Sequence, residues 1–322
     1  MNVRYWAAFT VAFGIIISLE NIWGIPPESM KQGDSHCPIK IEIVQDNFAS
    51  FVNSRHPGNR IGYRFFEHTP LEFGLVPENI AHTEIDSIFV EKLENEYSNH
   101  SNTIHYQHII KDLENWVDQI WTFYMVPAKD GVNLIWLIET KDKGLPEYYG
   151  VQQCFRLGGK SNVEWRRKIA ETAAFSEYDL WETESTKKHK TSLTAVIRNN
   201  QWQLFPAIES CVGARTPLGA KIDQYRFGNN LPDRIGPYEA EMLEVIDCGL
   251  IVRSDKEEKW VTGLFWENTS HVTVHHPADC LHAIVNIGNI PAYTKRAIQG
   301  KIYWFEGKKS DLLQRWQKEF PQ

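Results

Sequence analysis

Residues Trp260–Ile287 read WVTGLFWENTSHVTVHHPADCLHAIVNI, and the order of polar and apolar residues in this stretch decides the fold. Two runs alternate with period two. Val272 and Val274 interleave with His271, Thr273 and His275, while Leu281, Ala283 and Val285 interleave with Cys280, His282 and Ile284. Successive side chains leave a strand on opposite sides, so this period marks half-buried strands. Between the runs lies His276-Pro277-Ala278-Asp279, a segment with turn chemistry. Folded as an antiparallel hairpin, the runs set His275 opposite Cys280, Thr273 opposite His282 and His271 opposite Ile284. One face is then apolar and the other gathers three imidazoles and a thiol.

Working outward, the neighbouring segments also read as strands. Ile39–Val44 alternates cleanly, Asn59–Glu72 contains a second strand, and Gly131–Thr140 (GVNLIWLIET) is apolar enough to be buried on both faces. Ile85–Tyr97 fits a strand pair or a short helix. Ile104–Tyr124 carries both periods, and its strand neighbours favour strands. Thr191–Arg198 and Gln201–Pro206 flank Asn199-Asn200, a hairpin turn that tolerates positive φ. Met242–Arg253 and Lys259–Glu267 flank a polar turn at Ser254–Glu258, and Ala297–Phe305 is a last strand. Ser310 is the expected cap of a closing helix, Asp311–Phe320, whose Leu312, Leu313, Trp316 and Phe320 share one face. A second short helix is expected over Val163–Ala170, capped by Asn162. Many short strands with regular turn signals predict an all-β, mostly antiparallel sandwich or super-sandwich with a few short helices and a C-terminal helix.

The N-terminus reads as a targeting segment. Arg4 precedes Ala7–Leu19, 13 residues without a charge, short for a transmembrane helix and suited to a signal h-region. The expected layout is a signal peptide or N-terminal anchor over 1–24, a spacer over 25–36, and one β-sandwich domain over 37–322 with an excursion at 141–184. Export to the periplasm or beyond is the expectation, with membrane contact only through an uncleaved N-terminus. The formal charge of −7 and a single basic run, Lys187–Lys190, argue against a nucleic-acid partner. Cys37, Cys154, Cys211, Cys248 and Cys280 are odd in number, so one or two disulfides would leave at least one thiol. No CxxC pair occurs, which argues against a zinc knuckle.

Three groups of residues could carry chemistry. His271, His275 and His282 suit a borderline divalent metal such as zinc, with Cys280 or Asp279 auxiliary; alternatively His275 or His282 acts as a general base near neutral pH. Glu177 and Asp179, two apart in SEYDLW, are the candidate acid partners, since carbohydrate chemistry commonly needs a converging carboxyl group. Glu239 and Glu241 in PYEAEM give a weaker signal of the same kind. Arg156, Arg166, Trp165, Tyr148 and His276 are candidates for binding an acidic or hydroxylated ligand, with guanidinium groups gripping anions and rings stacking on sugar faces.

The stretches LPEYYGVQQCFRLGG, EWRRKIAETAAFSEYDLW, HHPADCLHAIVNIG and GKIYWFEGKKSDLL resemble a group of exported bacterial proteins with no assigned function. The resemblance covers most of Ile135–Phe320. More distantly the chain resembles mutarotase-like, carbohydrate-active super-sandwiches, which implies a carbohydrate or polysaccharide ligand and transfers no role to any residue. The reading is therefore an exported protein that binds or processes carbohydrate (as hydrolase, lyase or epimerase) in a histidine-lined groove. Its rivals are a non-catalytic envelope scaffold and a metal-dependent jelly-roll oxygenase using two histidines and a carboxylate.

Overall fold

The computed structural model describes residues 37–45, 48–55, 60–64, 71–72, 91, 94–95, 104–110, 119–145, 149–157, 194–204, 239–241, 248–255, 258–275 and 280–321. They form two eight-stranded sheets in which every described pairing is antiparallel. The first sheet comprises β1 (Ile39–Gln45), β2 (Phe48–Asn53), β3 (Arg60–Arg64), β8 (Tyr149–Leu157), β15 (Cys280–Asn286), β14 (Thr269–His275) and β11 (Glu239–Glu241), in that spatial order. The two-residue β4 (Leu71–Glu72) also pairs with β8. The second sheet runs β10 (Gln201–Leu204), β9 (Thr194–Arg198), β12 (Leu250–Ser254), β13 (Trp260–Trp266), β16 (Lys295–Glu306), β7 (Gly131–Thr140), β6 (Gln119–Ala128) and β5 (Ile104–Ile110). The all-β antiparallel sandwich expected from the alternation is the observed architecture, and Ile104–Tyr124 resolves into the strands β5 and β6.

The inward faces of the two sheets share one core. Phe51, Ile61, Tyr63, Phe155, Val272 and Leu281 from the first sheet meet Trp121, Trp136, Leu264, Trp266, Ile302 and Trp304 from the second. Trp136 and Trp266 lie 3.9 Å apart at their ring centroids. Gly300 makes this possible: a Cβ there would stand 2.5 Å from the Trp266 ring.

Helix α1 (Lys309–Glu319) lies on the opposite face of the second sheet, over β12, β13 and β16. Leu312, Trp316 and Phe320 pack on Val261, Phe265 and Tyr303, with Leu313 partly buried beside them, so the expected helical face is the docked one. Gly263 lets the helix approach, because a Cβ there would meet Leu312 at 3.1 Å. Ser310 is not the cap. Helix α1 begins two residues earlier than expected, and the Asp311 carboxylate accepts the Lys308 N–H at 2.8 Å, so an acid at the third helical position satisfies that donor. Among the described residues no helix is long and apolar enough to cross a membrane.

Two turns follow their sequence signals. Asn199 and Asn200 both have positive φ, 52° and 59°, the conformation of a two-residue hairpin turn. Asp255 accepts the N–H groups of Lys259 (2.8 Å) and Trp260 (3.1 Å) within the polar turn. Of the expected strand Met242–Arg253, β12 takes the part from Leu250, and residues 242–247 lie outside the described residues. The largest difference falls in the 141–184 excursion, where Tyr149–Leu157 is a strand inside the first sheet. Its alternation is disguised by Gln153, a polar residue on the core side that is buried and accepts a hydrogen bond from the Tyr63 hydroxyl. The expected helix at Val163–Ala170 and most of Ile85–Tyr97 lie outside the described residues.

A buried polar clamp fastens α1 to the second sheet. Lys301 lies 3.0 Å from Asp130 and 2.8 Å from Glu319, Tyr303 donates to Glu319 at 2.7 Å, and Arg315 reaches Asp130 at 3.1 Å. Burial alone would push the Asp130 carboxyl up, but Lys301 and Arg315 outweigh it and hold it below its usual range. Removing Lys301 would leave Asp130 with Arg315 and Glu319 with the Tyr303 hydroxyl, each without its shared cation. We expect Lys301→Met to destabilise the protein by about 2–3 kcal/mol, less than for a fully buried pair because the acids keep some solvent. A lower urea midpoint at unchanged slope checks this.

Candidate functional site

The outer face of the first sheet, turned away from the shared core, carries the positions of His271, His275, Cys280, His282 and Arg156. The observed register sets His275 opposite Cys280, Thr273 opposite His282 and His271 opposite Ile284, as the alternation predicts. Pairing continues on both sides. Cys280 lies across from Arg156 and His282 across from Cys154 on β8, while His275 lies across from Glu239 and Thr273 across from Glu241 on β11. Partner positions share a face, as do positions two apart on one strand. Arg156, Cys280, His275 and Glu239 thus form one row across four strands, and Cys154, His282, Thr273 and Glu241 form the next.

Strand geometry decides which of these positions act together. Direct partners are about 5 Å apart and positions two along a strand roughly 7 Å. His275, Cys280 and His282 are mutual neighbours on this grid. His271 lies four residues from His275, roughly 13 Å along the strand, too far for both imidazoles to close comfortably on one ion. On this grid His275, Cys280 and His282 lie together, and His271 stands apart from His275. Among the described side chains no group of three His, Cys, Asp or Glu could hold a metal, and of this set only the His282 side chain is described.

His282 is 2% exposed and Cys154 wholly buried, so both are covered on the outer face. Cys37, Cys154 and Cys248 are thiols. Two disulfides would need four of the five cysteines, so that expectation is reduced to at most one. Arg156 takes its place on β8, beside the histidine hairpin. Tyr148, Trp165, Arg166, Glu177, Asp179 and His276 lie outside the described residues.

Sequence reasoning gave too little weight to Glu239 and Glu241. Their spacing of two was visible, but nothing local could tell that β11 pairs with β14. It also passed over Glu267, whose only signal is its place between two strands. Glu267 and Asn268 carry the chain from β13 in the second sheet to β14 in the first, with Asn268 at φ 57°. The Glu267 N–H donates to the Gln299 carbonyl and a Glu267 carboxylate oxygen accepts the Gln299 N–H, both at 3.0 Å. Thr269 braces the same crossing by donating its hydroxyl to the Trp266 carbonyl at 2.8 Å. Burial raises the Glu267 carboxyl to about 7 despite that N–H.

No family model matches the chain, and no curated protein matches it. Among solved structures it is similar to a candidate aldose 1-epimerase of Escherichia coli K12, at 6% identity over 66% of this chain and 70% of that one, with a TM-score of 0.31. It is also similar to a galactose mutarotase-like protein of Lactobacillus casei ATCC 334, at 9% identity over 83% of this chain and 100% of that one, with a TM-score of 0.36. At these scores the likeness carries no weight for the site, and the fold stands on its own strand order and register.

The raised Glu267 carboxyl sets the direction of a pH effect. The folded state holds a proton that the unfolded state releases near the ordinary carboxylate value, so stability falls as pH rises from about 4.5 to about 7. Glu267→Gln keeps an acceptor for Gln299 and removes the titration. The variant is expected to melt higher than the parent at pH 8 and about equally at pH 4, by thermal melts across that range.

Proposed function

We propose that the outer face of the first sheet binds a carbohydrate, with His275 and His282 beside Glu239 and Glu241 as its acid–base groups. One observation carries this reading: the register makes Glu239 the direct partner of His275 and Glu241 that of Thr273, whose other partner is His282. A carboxylate is a base at neutral pH, and an imidazole can hold or release a proton there. Hydrolysis, elimination and epimerisation of sugars each need one group to take a proton and another to give one. A sheet face also presents donors and acceptors at fixed pitch, as a ring bearing several hydroxyl groups requires. A divalent metal on His275, Cys280 and His282 is the alternative use of the same positions. Three protein ligands and an open fourth position are the arrangement of a catalytic zinc. Export through residues 1–24 belongs to the same reading, which N-terminal sequencing of the mature protein tests.

The burial of His282 favours a second reading, a non-catalytic binding module whose imidazole is structural. Calorimetric titration with a panel of sugars and oligosaccharides, coupled to a turnover screen, separates the two. Glu239→Gln and His275→Ala are expected to weaken binding about ten-fold or more, the scale of a lost charged hydrogen bond, with Asp142→Asn unchanged as an exposed control. Turnover lost in both variants supports the enzyme. Binding without turnover supports the module. Unaltered binding in both variants removes this face from the function.

A further inference from the structure

We propose that the tip of the loop joining β15 to β16 is a sugar-stacking platform, with Tyr293 as the ring that meets a polysaccharide. This rests on the carbohydrate reading above and adds a second contact, remote from the outer-face positions. Tyr293 is 76% exposed and its backbone has φ 57°. Its N–H donates to the Lys141 carbonyl at 2.8 Å. Among the described residues, its ring and hydroxyl make no hydrogen bond or ring contact. The loop around it is braced. Thr140 and Thr294 each donate a hydroxyl to the Pro291 carbonyl at 2.6 Å. The Thr140 N–H donates to the Thr294 carbonyl at 3.0 Å, and the Leu145 and Ile290 backbones exchange hydrogen bonds of 2.7 and 3.2 Å. Gly144 lets the two segments meet, since a Cβ there would stand 2.4 Å from the Ile290 carbonyl oxygen.

These contacts decide the backbone of Tyr293 and leave its ring out. Positive φ costs a bulky side chain more than it costs glycine or asparagine, and a ring left in water gains nothing from burial. For folding alone, either of those residues would serve better at this position. The ring is accounted for by something outside the chain. A tyrosine offers an apolar face and a polar edge, which match a pyranose with an apolar C–H face and a rim of hydroxyl groups. Pro291 and Asn289 are exposed in the same tip and add apolar surface and an amide that both donates and accepts. A tyrosine on a fixed loop also loses little conformational freedom on binding. The tip follows Asn286, whereas His275 is paired with Cys280 at the other end of β15. Six residues of strand put about 20 Å between those ends. A ligand that reached both would be a chain of several sugars, and a polymer can use the tip alone as an anchor.

The test is sedimentation of the full chain with cellulose, chitin, xylan and starch, beside calorimetric titration with their monosaccharides. Retention on at least one polymer is expected. Tyr293→Asn should weaken it about ten-fold or more, the scale of a lost aromatic anchor, and Tyr293→Trp should keep it. The melting temperature of Tyr293→Asn should stay level or rise, because asparagine tolerates positive φ. Lost retention together with a lowered melting temperature assigns the ring to the fold and overturns the platform. Retention that survives Tyr293→Asn but falls with Glu239→Gln and His275→Ala also overturns it, and leaves the carbohydrate reading standing. Retention that falls with Tyr293→Asn alone supports the platform and counts against the outer face. No retention on any polymer overturns the platform, and the titrations then decide the wider reading: a bound monosaccharide keeps it, and none removes it. Self-association abolished by Tyr293→Asn, without retention, makes the tip a contact between copies of this chain and overturns the sugar platform.

Discussion

The backbone register of β8, β15 and β14 is the constraint on which the rest of the molecule depends. Each strand has one face in the shared core, with Val151 and Phe155 on β8, Leu281, Ala283 and Val285 on β15 and Val272 on β14. A slip by one residue would turn those side chains outward and drive Cys154, His282 and their neighbours into the core. Hydrophobic burial on one side thus fixes the positions of the polar groups on the other. The candidate site gets its geometry from a core in which it takes no part.

The second sheet and α1 make that core rigid. Trp121, Trp136, Trp266 and Trp304 fill the space between the sheets, and α1 seals the far side of the second sheet. The Lys301 clamp holds the helix there, a buried ammonium meeting two half-buried carboxylates. At Glu267 and Asn268 the chain leaves one sheet for the other, so the start of β14 is tied to Gln299 in the middle of β16. That crossing couples the packed half of the sandwich to the strand that carries His275.

Ionisable positions are spread across the outer face. Arginine positions on β3 and β8 lie at one side, glutamate positions on β11 at the other, and histidine and cysteine positions between them.

Local signals made much of this legible. The hairpin register from His271 to Ile284 follows from alternation alone, because two adjacent strands joined by a short turn have little freedom in how they pair. The Asn199-Asn200 turn and the docked face of α1 were legible for the same reason: each depends on residues a few positions apart. Strand β8 was hidden by Gln153, whose place in the core is explained only by Tyr63 on another strand. Glu239 and Glu241 stayed an unremarkable pair until β11 was paired with β14. What the amino-acid order determined by itself was which residues share a face of a strand, since that is set by the backbone's period of two. Which strands lie side by side, and so which side chains form a site, was decided by long-range packing of the core, for which local sequence holds no code.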